Sequence, residues 1–213
     1  MNYLERFIGA TAPIQSKRWG PLLMEVASFT PATDGDLVVH IGKPFEQPNP
    51  LIRIHSECVF SEVFNSDLCE CADQLMMAME RLVSEGHGLL FYLRFDGRGA
   101  GLAAKVAATK LEVEGMDTYD SRVAIGVAPE GRDFRAIGEY LHSRGINQVR
   151  LLTNNPVKVA GLLEEGITVT REPLVVADQT EKVRKLLETK ASRFGHQLIS
   201  LEFPSEEQPS KSS

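Results

Sequence analysis

Apolar and polar positions change their period once along this chain. Up to about residue 60, apolar residues come in short β-rich runs at 21–26, 36–41 and 51–55, with the length and composition of strands. Turn-forming residues separate them, at Thr33-Asp34-Gly35 and Gln47-Pro48-Asn49-Pro50. In the third run Ile52 and Ile54 alternate with Leu51, Arg53 and His55. One face of that strand is therefore apolar and the other presents Arg53 and His55.

From about residue 67 helix and strand alternate. Leu75, Met76, Met79, Leu82 and Val83 recur at helical spacing and stop at Gly86. A strand is predicted over 89–95, then the turn Gly97-Arg98-Gly99-Ala100-Gly101 and a helix over 102–114 that stops at Gly115. Next come a strand at 123–127, a helix over 132–144 closed by Gly145, and a strand at 149–152. A helix over 157–165 closed by Gly166, a strand at 167–170 and a long polar helix over 180–194 complete the pattern. This order predicts an α+β fold with α/β-like character, a β-rich amino-terminal part leading into alternating strands and helices. Residues 1–203 read as a single domain, and 204–213, rich in Ser, Glu, Lys and Pro, as a disordered tail.

With 213 residues, 43% hydrophobic and 24% charged, the chain has the size and balance of a soluble domain with its own core. No apolar run exceeds strand length, so no membrane span is predicted. The first residues show neither a basic nor an apolar leader segment, and a cytoplasmic location is expected. A net charge of −6 argues against nucleic acid, whose phosphates demand a basic surface. A small anion remains within reach of a few local Lys and Arg side chains.

Composition also marks one cluster. All three cysteines fall in Cys58-x10-Cys69-x-Cys71, which is not how a disulfide framework is spread. Thiolates suit zinc; a structural site closes with four ligands, whereas three leave a position open, as in a catalytic zinc site. His55 is an alternative fourth ligand, and three unrelated thiols are the alternative to any site. Arg53, His55, Ser56 and Glu57 lie at a strand end, a favoured place for ligand contacts. The turn 96–101 joins strand to helix, where glycines and a helix amino terminus suit phosphate and Arg98 can bind it bidentately. Glu130-Gly131-Arg132-Asp133 precedes a helix that Asp133 can cap. Thr153-Asn154-Asn155-Pro156-Val157-Lys158 reads as strand, cap and helix start, and its polar groups also suit a phosphate or a base edge.

Together these pieces resemble the GTP cyclohydrolase II family over about residues 14–200. The resemblance rests on Arg53-Ile54-His55-Ser56-Glu57-Cys58, Cys69-x-Cys71 with Gln74, Gly97-Arg98, Gly101-Leu102 and Asp117-Thr118. It continues through Arg132-Asp133-Phe134, Leu151 to Pro156 with Lys158, Thr189-Lys190-Ala191 and Gly195-His196. It implies zinc on Cys58, Cys69 and Cys71. Nucleotide contacts are implied for Arg53, Ile54, His55, Ser56, Glu57, Gln74, Asp96, Gly97, Arg98, Thr118, Thr153 and Lys158. Arg132 takes the place of the nucleophile toward the α-phosphate, and Glu130 that of the proton acceptor. In the family, zinc-bound water opens the guanine imidazole ring at C8, formate and pyrophosphate leave, and the product enters riboflavin synthesis. Magnesium accompanies the GTP, and the family forms homodimers.

Three positions depart from the pattern. Thr109 stands where the family has a catalytic tyrosine, Asp96 where it has Glu, and Glu130 where it has Asp. Helical spacing places Thr109 on one stripe with Leu102, Val106 and Val113, predicted to face inward. A threonine hydroxyl is shorter and far less acidic than a phenol. The departures therefore raise a paralogue that stops at a formamidopyrimidine or a nucleoside monophosphate, or a non-catalytic nucleotide-binding regulator with structural zinc.

Overall fold

Seven strands form one sheet whose pairing changes from antiparallel to parallel part-way across. The computed structural model describes residues 3–32, 34–174 and 181–196. Strands β1 (Thr11–Ser16), β2 (Gly20–Ala27) and β3 (Asp36–Ile41) pair antiparallel, and β3 pairs antiparallel with β5 (Gly88–Leu93). β5 then lies parallel to β4 (Leu51–Ser56), β4 to β6 (Gln148–Leu152), and β6 to β7 (Thr168–Glu172). The sheet order is β1-β2-β3-β5-β4-β6-β7. This mixed sheet with helices bears out the α+β, α/β-like reading.

Parallel neighbours need crossovers, and the helices supply them. The short α1 (Val59–Glu62) and α2 (Cys71–Glu85) lead from β4 to β5. Three helices, α3 (Gly101–Val113), α4 (Asp120–Ala124) and α5 (Arg135–Ser143), lead to β6, and α6 (Pro156–Glu164) leads to β7. The polar helix α7 (Glu181–Phe194) comes last. Alternate strand residues feed two apolar clusters. Ile52, Ile54, Leu89, Phe91 and Leu151 pack with Ile137 and Leu141 of α5 and Leu162 of α6. Leu51, Leu90 and Leu152 pack with Ala78, Met79 and Leu82 of α2. Each fully buried aliphatic side chain here contributes about 1.5–3 kcal/mol. Because both faces of β4 are covered, Arg53 and His55 are buried beside Leu51 rather than solvated.

Several expectations are corrected. The strand predicted at 123–127 is instead the end of helix α4 and a turn. The Asp117 carboxylate accepts from the N–H groups of Tyr119 (2.7 Å) and Asp120 (2.9 Å), which starts a helix where a short apolar run alone is ambiguous. The helix predicted from 132 begins at Arg135, where the Asp133 carboxylate accepts from the Arg135 N–H at 3.0 Å. β1 carried no hydrophobic alternation in the sequence because it is an exposed edge strand. The stripe Leu102–Val106–Val113 faces outward, each residue exposed. α3 buries Ala108 instead, and Thr109 is half-buried. The proposed tail at 204–213 lies outside the described residues.

Candidate active site at the carboxyl ends of the parallel strands

Open sheets with parallel strands collect ligands beyond the strands' carboxyl ends, where crossovers diverge. Here those ends belong to β4, β5 and β6, and a cleft opens over them. β4 delivers Arg53, His55 and Ser56, and the two residues after it Glu57 and Cys58; the loop after β5 delivers Asp96, Gly97 and Arg98; the loop after β6 delivers Thr153 and, in the first turn of α6, Lys158. Cys69, Cys71, Gln74, Thr109, Thr118, Glu130 and Arg132 join them in the lining. Ile54 does not: its side chain is fully buried in the core, and only its carbonyl serves the site, accepting from Lys158 Nζ at 2.8 Å.

One end of the cleft is built of sulfur. The Sγ atoms of Cys58, Cys69 and Cys71 lie within 4.8 Å of one another, with Cys58 and Cys69 at 3.6 Å. Tetrahedral zinc–thiolate geometry places neighbouring sulfurs about 3.8 Å apart, so the trio fits that ion. Among the described residues this metal-type cluster has three members. His55 is not one of them, because its Nε2–H donates to Glu62 Oε1 at 2.8 Å and its ring stacks on Tyr92. Burial pulls the His55 pKa down to about 4 against the pull of Glu62, so the imidazole is neutral. Glu62 also accepts from the Cys58 N–H (2.8 Å) and the Tyr92 hydroxyl (2.7 Å), fixing the loop that carries the first thiol. Hydrogen bonds from Cys69 and Cys71, followed by Lys105, hold the Cys58 thiol well below its ordinary range; the same contacts push Cys69 and Cys71 up. Lys105 Nζ lies 3.0 Å from Cys58 Sγ and 2.6 Å from Asp96 Oδ1.

The other end is built of cations. Gly97 and Arg98 both adopt left-handed backbone, φ 61° and 58°, a conformation that disfavours side chains other than glycine. It turns Arg98 into the cleft, where Nη2 donates to Thr118 Oγ1 at 3.3 Å and burial draws the guanidinium pKa down to about 10. Arg122 Nη1 holds this turn by donating to the Gly97 carbonyl at 2.6 Å. Arg132 forks onto Glu130 through Nε (2.7 Å) and Nη2, and donates to Ser56 Oγ at 3.2 Å through Nη1. Burial works to raise the Glu130 pKa, but the Arg132 bonds and charge outweigh it and the carboxyl sits low. Lys158 is buried and pulled well below its usual range by desolvation and by Arg53 and Arg132.

Other site groups are already occupied within the protein. Arg53 donates to the Leu152 carbonyl and to Gln74 Oε1, both at 2.9 Å, while Gln74 Nε2 donates to Glu70. Both ends of the Gln74 amide are thus engaged. Asn155 caps α6 through the Val157 N–H, and Asn154 clamps both backbone groups of Leu174, so these two amides are architectural. Glu57 sits at the rim and accepts from Arg94 Nε at 2.8 Å.

The family model described as GTP cyclohydrolase II matches residues 9–173 of this chain. The chain belongs to the GTP cyclohydrolase II family. That places it among hydrolases of the GTP cyclohydrolase II type. It is 41% identical to "GTP cyclohydrolase-2" of Psychromonas ingrahamii, over 81% of this chain and 87% of the relative. The identity is again 41% to "GTP cyclohydrolase-2" of Neisseria meningitidis, over 84% of this chain and 90% of the relative. "Riboflavin biosynthesis protein RibBA" of Bacillus subtilis is 39% identical over 73% of this chain, which spans only 39% of that longer protein.

Within this GTP cyclohydrolase II framework, sequence reading passed over Lys105, Glu62 and Arg122. Two of the three had a signal. Lys105 precedes Thr109 by one helical turn on the same face of α3, and Glu62 follows Cys58 by four residues in α1. Arg122 had none, since α4 itself was misread.

Proposed function

We propose that this chain is a zinc-dependent hydrolase of GTP that opens the purine imidazole ring at C8 and releases pyrophosphate, in riboflavin-type chemistry. The observation that carries this is that one cleft gathers three converging thiols and the cationic side chains Arg98, Arg132 and Lys158. Cys58, Cys69 and Cys71 would hold the zinc, which supplies Lewis acidity at the base. The chain's own residues do the rest. Arg98 and Lys158 neutralise phosphate charge as diphosphate leaves. Arg132 would attack the α-phosphate as nucleophile while Glu130, bonded to two of its nitrogens, takes the proton it gives up; the bond to diphosphate breaks, and water then hydrolyses the phosphorus–nitrogen bond. Lys105 offsets charge on the Cys58 thiolate. Magnesium accompanies the triphosphate.

A second reading concerns the last step. Thr109 lines the cleft where a phenol is expected, and its hydroxyl is both too short and too weakly acidic to replace one. On this reading the ring opens but the formyl group stays, leaving a formamidopyrimidine nucleotide. Incubation with GTP, zinc and magnesium, followed by mass spectrometry and formate assay, separates the two: one product lacks the formyl carbon and the other keeps it. GTP returned intact by the zinc-loaded protein would reject both and favour a binding-only regulator.

The exposed Leu102, Val106 and Val113 on α3, with Val123 on α4, support a homodimer covering that face. No helix among the described residues is long and apolar enough to cross a membrane.

A further inference from the structure

The segment Thr189-Lys190-Ala191 with Gly195-His196 has no part in the chemistry above, yet α7 brings it into the cleft. Along α7, Val183, Leu187 and Phe194 recur at helical spacing, with Val183 and Leu187 buried. Lys190 falls on that same inner face and lines the cleft together with Leu186, Phe194 and His196. Lys190 is half-buried there, so its ammonium has given up part of its hydration, a loss that an anion in the cleft would offset. Among the described residues no carboxylate pairs with Lys190.

α7 is seated by contacts outside the sulfur end. Arg193 donates to Asp120 at 2.7 Å and lies over the Tyr119 ring, while the Arg98 guanidinium stacks 4.0 Å over Phe194. The chain then turns at Gly195, and the His196 N–H returns to the Lys190 carbonyl at 3.1 Å. This turn sets the His196 ring at the cleft. Burial, then Lys190, Lys158, Arg132 and Arg98 in that order, draw the His196 pKa down to about 3. The cleft lining thus holds seven cationic side chains (Arg53, Arg98, Lys105, Arg122, Arg132, Lys158 and Lys190) against four carboxylates (Glu57, Asp96, Glu112 and Glu130). The cation surplus is built for an anion of several charges.

We infer that α7 is the closing wall of the phosphate subsite, with Lys190 and His196 contacting the outer phosphates of the nucleotide opposite Arg98 and Arg132. The inference rests on the nucleotide reading and deepens it. It requires α7 to dock more tightly when polyphosphate is bound, since the ligand supplies the counter-charge that no described carboxylate gives Lys190.

The test uses the full zinc-loaded chain and three probes in calorimetric titrations: a methylene-bridged GTP analogue, guanosine, and inorganic tripolyphosphate. Lys190→Gln should weaken the GTP analogue and tripolyphosphate roughly tenfold and leave guanosine unchanged. Arg193→Ala, which loosens α7 without touching the cleft lining, should give the same selectivity with a smaller loss. Tryptic cleavage within α7 should slow with tripolyphosphate but not with guanosine. Unchanged polyphosphate affinity in both variants overturns the inference, as does an equal loss for guanosine. Lys190-dependent binding of tripolyphosphate by a protein that ignores the GTP analogue would sustain this subsite while rejecting the nucleotide reading. Binding of neither probe rejects both.

Discussion

Two buried polar clusters in this protein look alike in composition and differ in balance. Under the antiparallel half of the sheet, the Glu25 carboxylate of β2 is almost wholly buried. It accepts from the Tyr140 hydroxyl at 2.8 Å and from Arg144, and lies 2.9 Å from His40 Nε2, close enough for pairing although off the line of a straight hydrogen bond. Burial lowers the His40 pKa more than Glu25 raises it. One acid meets one full cation and two neutral donors, so charge is matched. At the carboxyl ends of the parallel strands, by contrast, cations outnumber carboxylates. A matched cluster ties elements together; a mismatched one awaits a ligand.

The sharpest way to break the comparison is at the sulfur end. Cys71→Ser should abolish stoichiometric zinc, read by metal analysis, and reduce turnover by at least ~1,000-fold, with the far-ultraviolet spectrum little changed. Retained zinc and activity would refute the site. Next, Lys158→Met should weaken GTP binding by roughly 100-fold while leaving the melting temperature little changed, because the buried amine, bonded to the Ile54 carbonyl, has no ion pair among the described residues. Glu25→Ala should do the reverse: it leaves Arg144 and His40 without their acid and costs about 3 kcal/mol of stability. The turnover of its folded fraction should match wild type. If both substitutions shift stability and binding alike, the distinction between the clusters is void.

Two finer tests follow. Thr109→Tyr should convert a formyl-retaining product into one that releases formate, with formate per GTP rising toward about one. The smallest effect concerns acid. His55 titrates near 4 when folded against 6.5 unfolded. Between those values the unfolded chain binds a proton that the folded chain refuses, so stability falls as pH drops from 6.5 to about 4. His55→Gln should make that limb shallower in denaturant titrations run across the window, leaving the share that His40 and His196, also held low, contribute. The limb below about 4.5, where carboxylates held low such as Glu62 and Glu130 take up protons, should persist.

By itself the sequence determined what depends on short range. Strand runs with turn residues between them gave β2, β3 and β4; the Asn155-Pro156 cap gave the start of α6; the cysteine spacing put three soft ligands within one loop-and-helix segment. The motif order led to the right family. The tertiary structure alone decided relations between distant segments. Sheet order, with β5 inserted between β3 and β4, buries Arg53 and His55 on a strand that alternation alone describes as half-polar. Packing, not periodicity, turned Leu102, Val106 and Val113 outward. Lys105 meeting Cys58, Arg122 bracing Gly97 and α7 carrying Lys190 to the cations span 25 to 92 residues or join helices whose orientation no local pattern encodes. Charge balance is a property of what gathers in one place. It becomes legible only when the chain has folded those places together.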